Sequence, residues 1–372
     1  MTKTKITNKD VFAVLEKLAP KSLAYEWDNV GLQVGSFNSP VTKIMVTLDV
    51  LEEVVDEAIA NGVRLIIAHH PLLFKPMKQL HTDTPQGRVI KKLLEHNISV
   101  YASHTNLDIA TGGVNDALCE KLQIKNPQPL IKEGSMKLFK LVVYVPETHQ
   151  HQVREALGDS GAGHIGNYSH CTFQTKGEGR FKPLEGTDPF IGSTDTLEAV
   201  QEVKIETIVQ ESFLQDVLSA VITAHPYEEV AYDVFSLENK GETYGLGRIG
   251  TLDKTITLKE FCTLIKKQLD IPGLRVTGDL EHKVKKIAVL GGSGEKYIRA
   301  AKKAGADTFI TGDVTFHTAQ DAWQMGLAVI DPGHYAEKVM KESVLQYLKE
   351  QFSEKGVELL VSTTSTDPFQ FI

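Results

Sequence analysis

At 372 residues the chain exceeds the size at which one hydrophobic core stops growing, so two or more compact units are expected. Hydrophobic residues make up 41% and charged residues 24%, without a low-complexity tract, which excludes a disordered protein. The net charge of −8 disfavours broad nucleic-acid binding, which needs clustered Lys and Arg to displace counterions.

The first stretch, MTKTKITNKDVFAVLEKLAP, reads as an amphipathic helix behind a polar lead, without the apolar core of a signal peptide. WDNVGLQVG, Trp27 to Gly35, follows it and either shapes a loop over a cleft or, the favoured reading, closes a turn with Asp, Asn and Gly. KIMVTLDVLEEVVDEAIANGVRLIIAHH then starts at Lys43, and KIAVLGGSGEKYIRAAKKAGADTFITGD starts at Lys286. The two align without a gap, each as apolar run, amphipathic helix, Gly and apolar run. NISVYASH and LAVIDPGH supply the next strand of each half. The pattern predicts an α/β class fold of two duplicated lobes with parallel strands covered by helices, over residues 1–130 and 245–372.

Between them the pattern changes. KLFKLVVYVP reads as a strand, HQHQVREALGDSG as a helix, YSHCTFQTKGEGRF as a strand entering a turn, VKIETIVQ as a strand, ESFLQDVLSAVITAHP as a helix and AYDVFSLE as a strand. That order predicts an inserted ferredoxin-like α+β domain over 135–240. GETYGLGRIG returns the chain to the core, its glycines marking turns. HPYEEVAYDV either caps a strand or binds an effector through His225, Glu228 and Glu229.

Chemistry concentrates at predicted strand ends, where ligands of parallel sheets collect. His69 and His70 end one strand, and His104 with Asp108 follows the next. In the second half Gly312 and Asp313 stand at the positions of that histidine pair, and His317 lies just beyond. His334 and Glu337, three residues apart at a predicted helix start, share a helical face. Imidazoles and carboxylates without a thiol form an N and O donor set for divalent metals. We read His69, His70, Asp108, His334 and Glu337 as ligands of two divalent ions per chain, zinc first, with iron or manganese as alternatives; scattered structural histidines are the competing reading. His104, Asp313 and His317 are secondary candidates, each as a proton carrier, as a group orienting a ligand imidazole or as a strand-end cap, with catalysis read first for His104. The GGSG stretch, with Gly292 and Gly294, is either an anion-holding loop or a tight turn. Three cysteines without Cys-x-x-Cys spacing fit a reducing cytoplasm, and no segment has the apolar length to cross a bilayer.

IIAHHPLLF, SHTNLD, ITGD and DPGHYAEK, in that order, resemble the NIF-three-like proteins, also called GTP cyclohydrolase 1 type 2 homologues. The resemblance spans essentially the whole chain. It implies a dinuclear site on the same five residues and a ring-shaped homohexamer built as a trimer of dimers. It also implies water attack on a nucleotide-like small molecule, and an insert similar to PII-like or CutA-like modules. Many members space this His and Glu four apart, where this chain has three. The alternative is a noncatalytic scaffold that binds metal, or a metabolite through its insert.

Overall fold

In a computed structural model, which describes residues 5–352 and 355–372, helix α1 (Asn8–Leu18) starts where the Thr7 N–H donates to Asp10 Oδ2 at 2.8 Å. Val11, Phe12 and Leu15 form its buried stripe. The chain continues as β1 (Gly31–Val34), β2 (Lys43–Thr47), α2 (Glu52–Ala60), β3 (Leu65–Ala68), α3 (Pro85–Glu95) and β4 (Ser99–Ala102). The short α4 (Thr105–Ile109) and α5 (Val114–Lys121) complete this half. Strands β2, β3 and β4 are parallel, with order β1-β4-β3-β2-β13 in the sheet, where β13 is Glu358–Val361. Every residue of β3 is buried, as its unbroken apolar sequence requires of a strand covered on both faces.

The chain divides into two compact units, one of residues 1–133 with 244–372 and one of 134–243. Two long strands run through both boundaries: β5 (Lys125–Pro146) and β8 (Tyr232–Thr257). The smaller unit also holds α6 (Gln150–Asp159), β6 (Thr172–Phe181), β7 (Glu198–Gln210) and α7 (Leu214–Ala224). Its strands lie in the order β6-β7-β5-β8 and its core gathers Leu141, Val143 and Val145 with Val203, Ile205 and Val209. Helices α6 and α7 cover that face with Val153, Leu157, Val217 and Val221.

The larger unit resumes with α8 (Leu258–Leu269), β9 (Arg275–Thr277), β10 (Lys283–Ser293), α9 (Ile298–Lys303), β11 (Thr308–Gly312), α10 (Phe316–Gln324), β12 (Ala328–Asp331) and α11 (Met340–Phe352). Its second sheet runs β8-β10-β11-β12-β9, with β10, β11 and β12 parallel and β9 antiparallel at the edge. The first sheet likewise carries an antiparallel strand, β1, at one edge, but its parallel strands number four, β4, β3, β2 and β13. Gly62 and Gly305, which match in the two halves, both adopt positive φ, at 67° and 80°, just past their helices.

Three local expectations are corrected. GETYGLGRIG is strand β8, not a set of turns. A Cβ on Gly245 would stand 1.9 Å from the Ile131 carbonyl oxygen and one on Gly250 2.5 Å from that of Lys125, so these glycines let two backbones approach closely. TKGEGRF continues β6 through Phe181 instead of turning. His334 begins a 3-10 segment, His334–Val339, ahead of α11, rather than an α-helix.

Candidate metal centre

The carboxyl ends of the parallel strands bring most of the predicted residues into one cleft of about 460 Å³. His69 and His70 follow β3, His104 follows β4 and Asp108 lies on α4. From the other sheet, β12 leads into the 3-10 turn carrying His334 and Glu337. In a 3-10 turn residues i and i+3 eclipse, so the three-residue spacing stacks this pair, with His334 Nε2 3.2 Å from Glu337 Oε2.

Glu337 is the hub. Its Oε2 also lies 3.1 Å from His70 Nε2 and 3.7 Å from His69 Nε2, and Asp108 Oδ1 is 3.6 Å from His69 Nε2. Three overlapping groups result, each with donor atoms within 4.8 Å of one another: His69, Asp108 and Glu337; His70, His334 and Glu337; and His69, His70 and His104.

The imidazoles are oriented from behind. His69 Nδ1 donates to the Ser103 carbonyl at 2.9 Å, which fixes its proton there. His70 Nδ1 meets Asp49 at 2.6 Å, His104 Nδ1 meets Asp28 at 2.9 Å and His334 Nδ1 meets Asp313 at 2.7 Å. Each Nδ1 is thus engaged by an oxygen, leaving each Nε2 for the cleft, the arrangement that positions metal-binding histidines. His69 Nε2 and Asp108 Oδ1 are buried without a hydrogen-bond partner. Such orphaned atoms are costly unless something binds them, so the donor set fits a divalent cation.

Electrostatics agree. Burial pushes the Asp108 carboxyl up to about 6, the neighbouring imidazoles only partly opposing it. Burial disfavours the Glu337 charge too, but its bond to His334 and the nearby His69 imidazole hold it well below the usual carboxylate range. Burial lowers His70, yet Asp49 and Glu337 outweigh it and raise the imidazole to about 10. The Glu337 bond lifts His334 to about 9.

The remaining candidates part company. Gly292, φ 62°, lies against the ligands, where a Cβ would come 2.7 Å from Glu337 Oε1. Gly294 N–H is committed to Thr311 Oγ1 at 2.8 Å, so it is not free for an anion. His317 is on α10 beside Gln320, 3.3 Å away, and belongs to none of these groups. The sequence marks neither Asp49 nor Asp28 as a site residue. Asp49 stands just past β2 and so obeys the same strand-end rule, whereas Asp28 sits in a stretch whose composition reads as a turn.

The sequence matches the family described as Duf34/NIF3 (NGG1p interacting factor 3) over residues 6–368. The chain belongs to the Duf34/NIF3 family. It is 51% identical over 369 residues to a Bacillus subtilis protein named GTP cyclohydrolase 1 type 2 homolog, covering 99% of each chain. A Listeria innocua protein of the same name is 49% identical, with 96% of this chain and 97% of that one covered. Among solved structures, a Bacillus cereus protein related to NIF3 superposes with a TM-score of 0.89 at 50% identity, covering 99% and 100% of the two chains. A Staphylococcus aureus protein gives 0.71 at 34% identity, covering 99% of each.

A metal ion entering this Duf34/NIF3 site at His70 and His334 would have to displace protons from them, since their pKa values are raised to about 10 and 9. Metal affinity should therefore rise with pH and level off above about 10. With two protons released per ion bound at that pair, the slope approaches about 100-fold per pH unit. Competition against a chelator at pH 6, 7 and 8, corrected for the chelator's own protonation, measures it, and a flat profile would refute proton displacement.

Proposed function

We propose that this protein holds two divalent metal ions, zinc first and iron or manganese as alternatives, and hydrolyses a nucleotide-like small molecule. The observation that carries this reading is Glu337, whose one oxygen faces imidazoles from two sheets and so belongs to two donor sets. His69, Asp108 and Glu337 would hold one ion, and His70, His334 and Glu337 the other. Paired ions of this kind supply Lewis acidity and lower the pKa of water.

The chain's own groups supply the rest. Asp28 stays ionised: burial opposes its charge, but bonds from His104 and Thr105 bring its pKa down to about 2. It therefore holds a proton on His104 Nδ1 and leaves Nε2 to exchange protons in the cleft. Tyr25, Trp27 and Phe74 form an aromatic wall suited to stacking a base, with Tyr25 and Trp27 stacked at 5.7 Å. Lys296 lines the same cleft and pairs with no carboxylate among the described residues, leaving it for phosphate. His317 has no part in this reading.

The assignment extends to the whole molecule. Strand order β6-β7-β5-β8 is the order of a ferredoxin-like β-α-β-β-α-β unit, which supports that reading of residues 135–240 as an insert between lobes at 1–130 and 245–372. Among the described residues no helix is long and apolar enough to cross a membrane. A cytoplasmic homohexamer, a trimer of dimers, completes the proposal.

Metal content of the purified protein, measured beside a His69→Ala/His70→Ala double variant, tests it together with a hydrolysis screen of GTP and phosphoesters. About two ions per chain, lost along with turnover in the variant, is the expected result. Metal without turnover would leave a noncatalytic metal-binding scaffold, and no metal in either protein would end both readings.

A further inference from the structure

We propose that the smaller unit binds a small organic cation, an amine or guanidinium on an apolar body, in a pocket of its own. The pocket, about 390 Å³, lies between the 182–197 connection and the HPYEEV turn that follows α7. It is far larger than a water and within the range of small-ligand sites.

Two features give it chemistry. The first is aromatic. Tyr227 is central, with the Phe181 and Phe190 rings 5.9 and 6.3 Å from it, each tilted rather than parallel. Rings grouped in this way present electron-rich faces to a cation. The second is charge. Glu202, Glu228 and Glu229 line the same space, and none of them pairs with a Lys or Arg among the described residues. Arg180, the cation in the lining, is taken by Glu178, its Nη2 2.8 Å from Oε1.

The sheet is shaped around one of these acids. Glu202 on β7 stands opposite Gly177 on β6, and Gly179 follows two residues later on the same face. A Cβ on Gly179 would sit 2.2 Å from Glu202 Oε2, so the glycine clears the space that the carboxylate occupies. Tyr227 donates its hydroxyl to Glu202 Oε1 at 3.0 Å, which fixes the group and leaves Oε2 for a ligand N–H. Glu228 serves the wall, accepting the Asp188 N–H at 3.2 Å and tying the connection to the turn. Aromatic rings beside uncompensated carboxylates select positive charge with an apolar body and reject anions. This site is separate from the metal centre and holds whether or not the cleft is catalytic.

Titration of the full-length protein with tryptamine, agmatine and spermidine, against indole-3-acetate, tests the assignment by calorimetry. At least one amine should bind with a Kd below about 1 mM and indole-3-acetate should not. Glu202→Gln keeps the Tyr227 hydrogen bond and the shape while removing the charge, and should weaken amine binding at least about tenfold. Phe190→Ala, at an exposed position, should weaken it without altering thermal stability. Binding of indole-3-acetate as tight as tryptamine, amine affinity unchanged in Glu202→Gln, or no binding by any of the three amines would each overturn the proposal.

Discussion

Glu337→Gln is expected to empty the metal centre of both ions rather than one. The substitution preserves size but not charge, and the Oε2 atom it neutralises is shared by His69, His70 and His334. The loss of affinity should exceed the roughly 10–100-fold that changes behind the ligands cost, because a shared ligand is weakened directly. The metal-free protein should suffer as well. Glu337 is 2% exposed and is the counter-charge that keeps the surrounding imidazoles protonated, and breaking such a buried pair typically costs about 3–5 kcal/mol.

The sign of its pH dependence follows from the same groups. His70 and His334 have raised pKa values in the folded state, so their contribution is complete below about 6.5 and disappears as pH rises through about 9 and 10. The stability gap between the metal-free wild type and Glu337→Gln should accordingly be largest near pH 6 and narrow above about 10. Metal stoichiometry and urea unfolding with a chelator present measure both effects. Two ions retained per chain would refute the shared role of Glu337.

Arg248→Ala should destabilise the larger unit by about 3–5 kcal/mol without touching the cleft. Arg248 is 3% exposed on β8 and all five of its N–H donors are used. Nε and Nη2 grip Asp116 at 2.7 Å each, Nη1 donates to the carbonyls of Gly245 and Gly247, and Nη2 donates also to that of Ala110. Truncation leaves three carbonyls and a carboxylate to find new partners at once. Arg248→Lys should recover only part of the loss, since a point charge cannot reproduce a planar fork with five directed donors. Urea unfolding at pH 7 reads the effect, and a loss below about 1 kcal/mol in Arg248→Ala would show that water replaces the network.

The sequence by itself determined whatever short range governs. The apolar run before His69 became the fully buried β3, and Gly62 and Gly305, at corresponding positions of the two halves, share a left-handed backbone. Strand-end placement put His69, His70, His104, His334 and Glu337 in one cleft, because a parallel sheet delivers its strand ends to one edge. Tertiary structure alone decided which atoms meet. The His70 contact with Glu337 joins residues 267 positions apart, and the His104 contact with Asp28 joins residues 76 apart. No local pattern encodes such pairs, so Asp28 reads as part of a turn and Asp49 goes unnoticed until the fold sets them behind the imidazoles. The glycines of GETYGLGRIG mislead for a related reason. At Gly245 and Gly250 the missing Cβ serves close approach to a strand more than one hundred residues earlier, a need that the chain's local conformation does not express. His317 shows the converse: it follows a strand end as His104 does, but its helix carries it away from the donor groups. Whether a polar side chain at the right edge becomes part of a site depends on where its element points, and packing, not spacing, sets that direction.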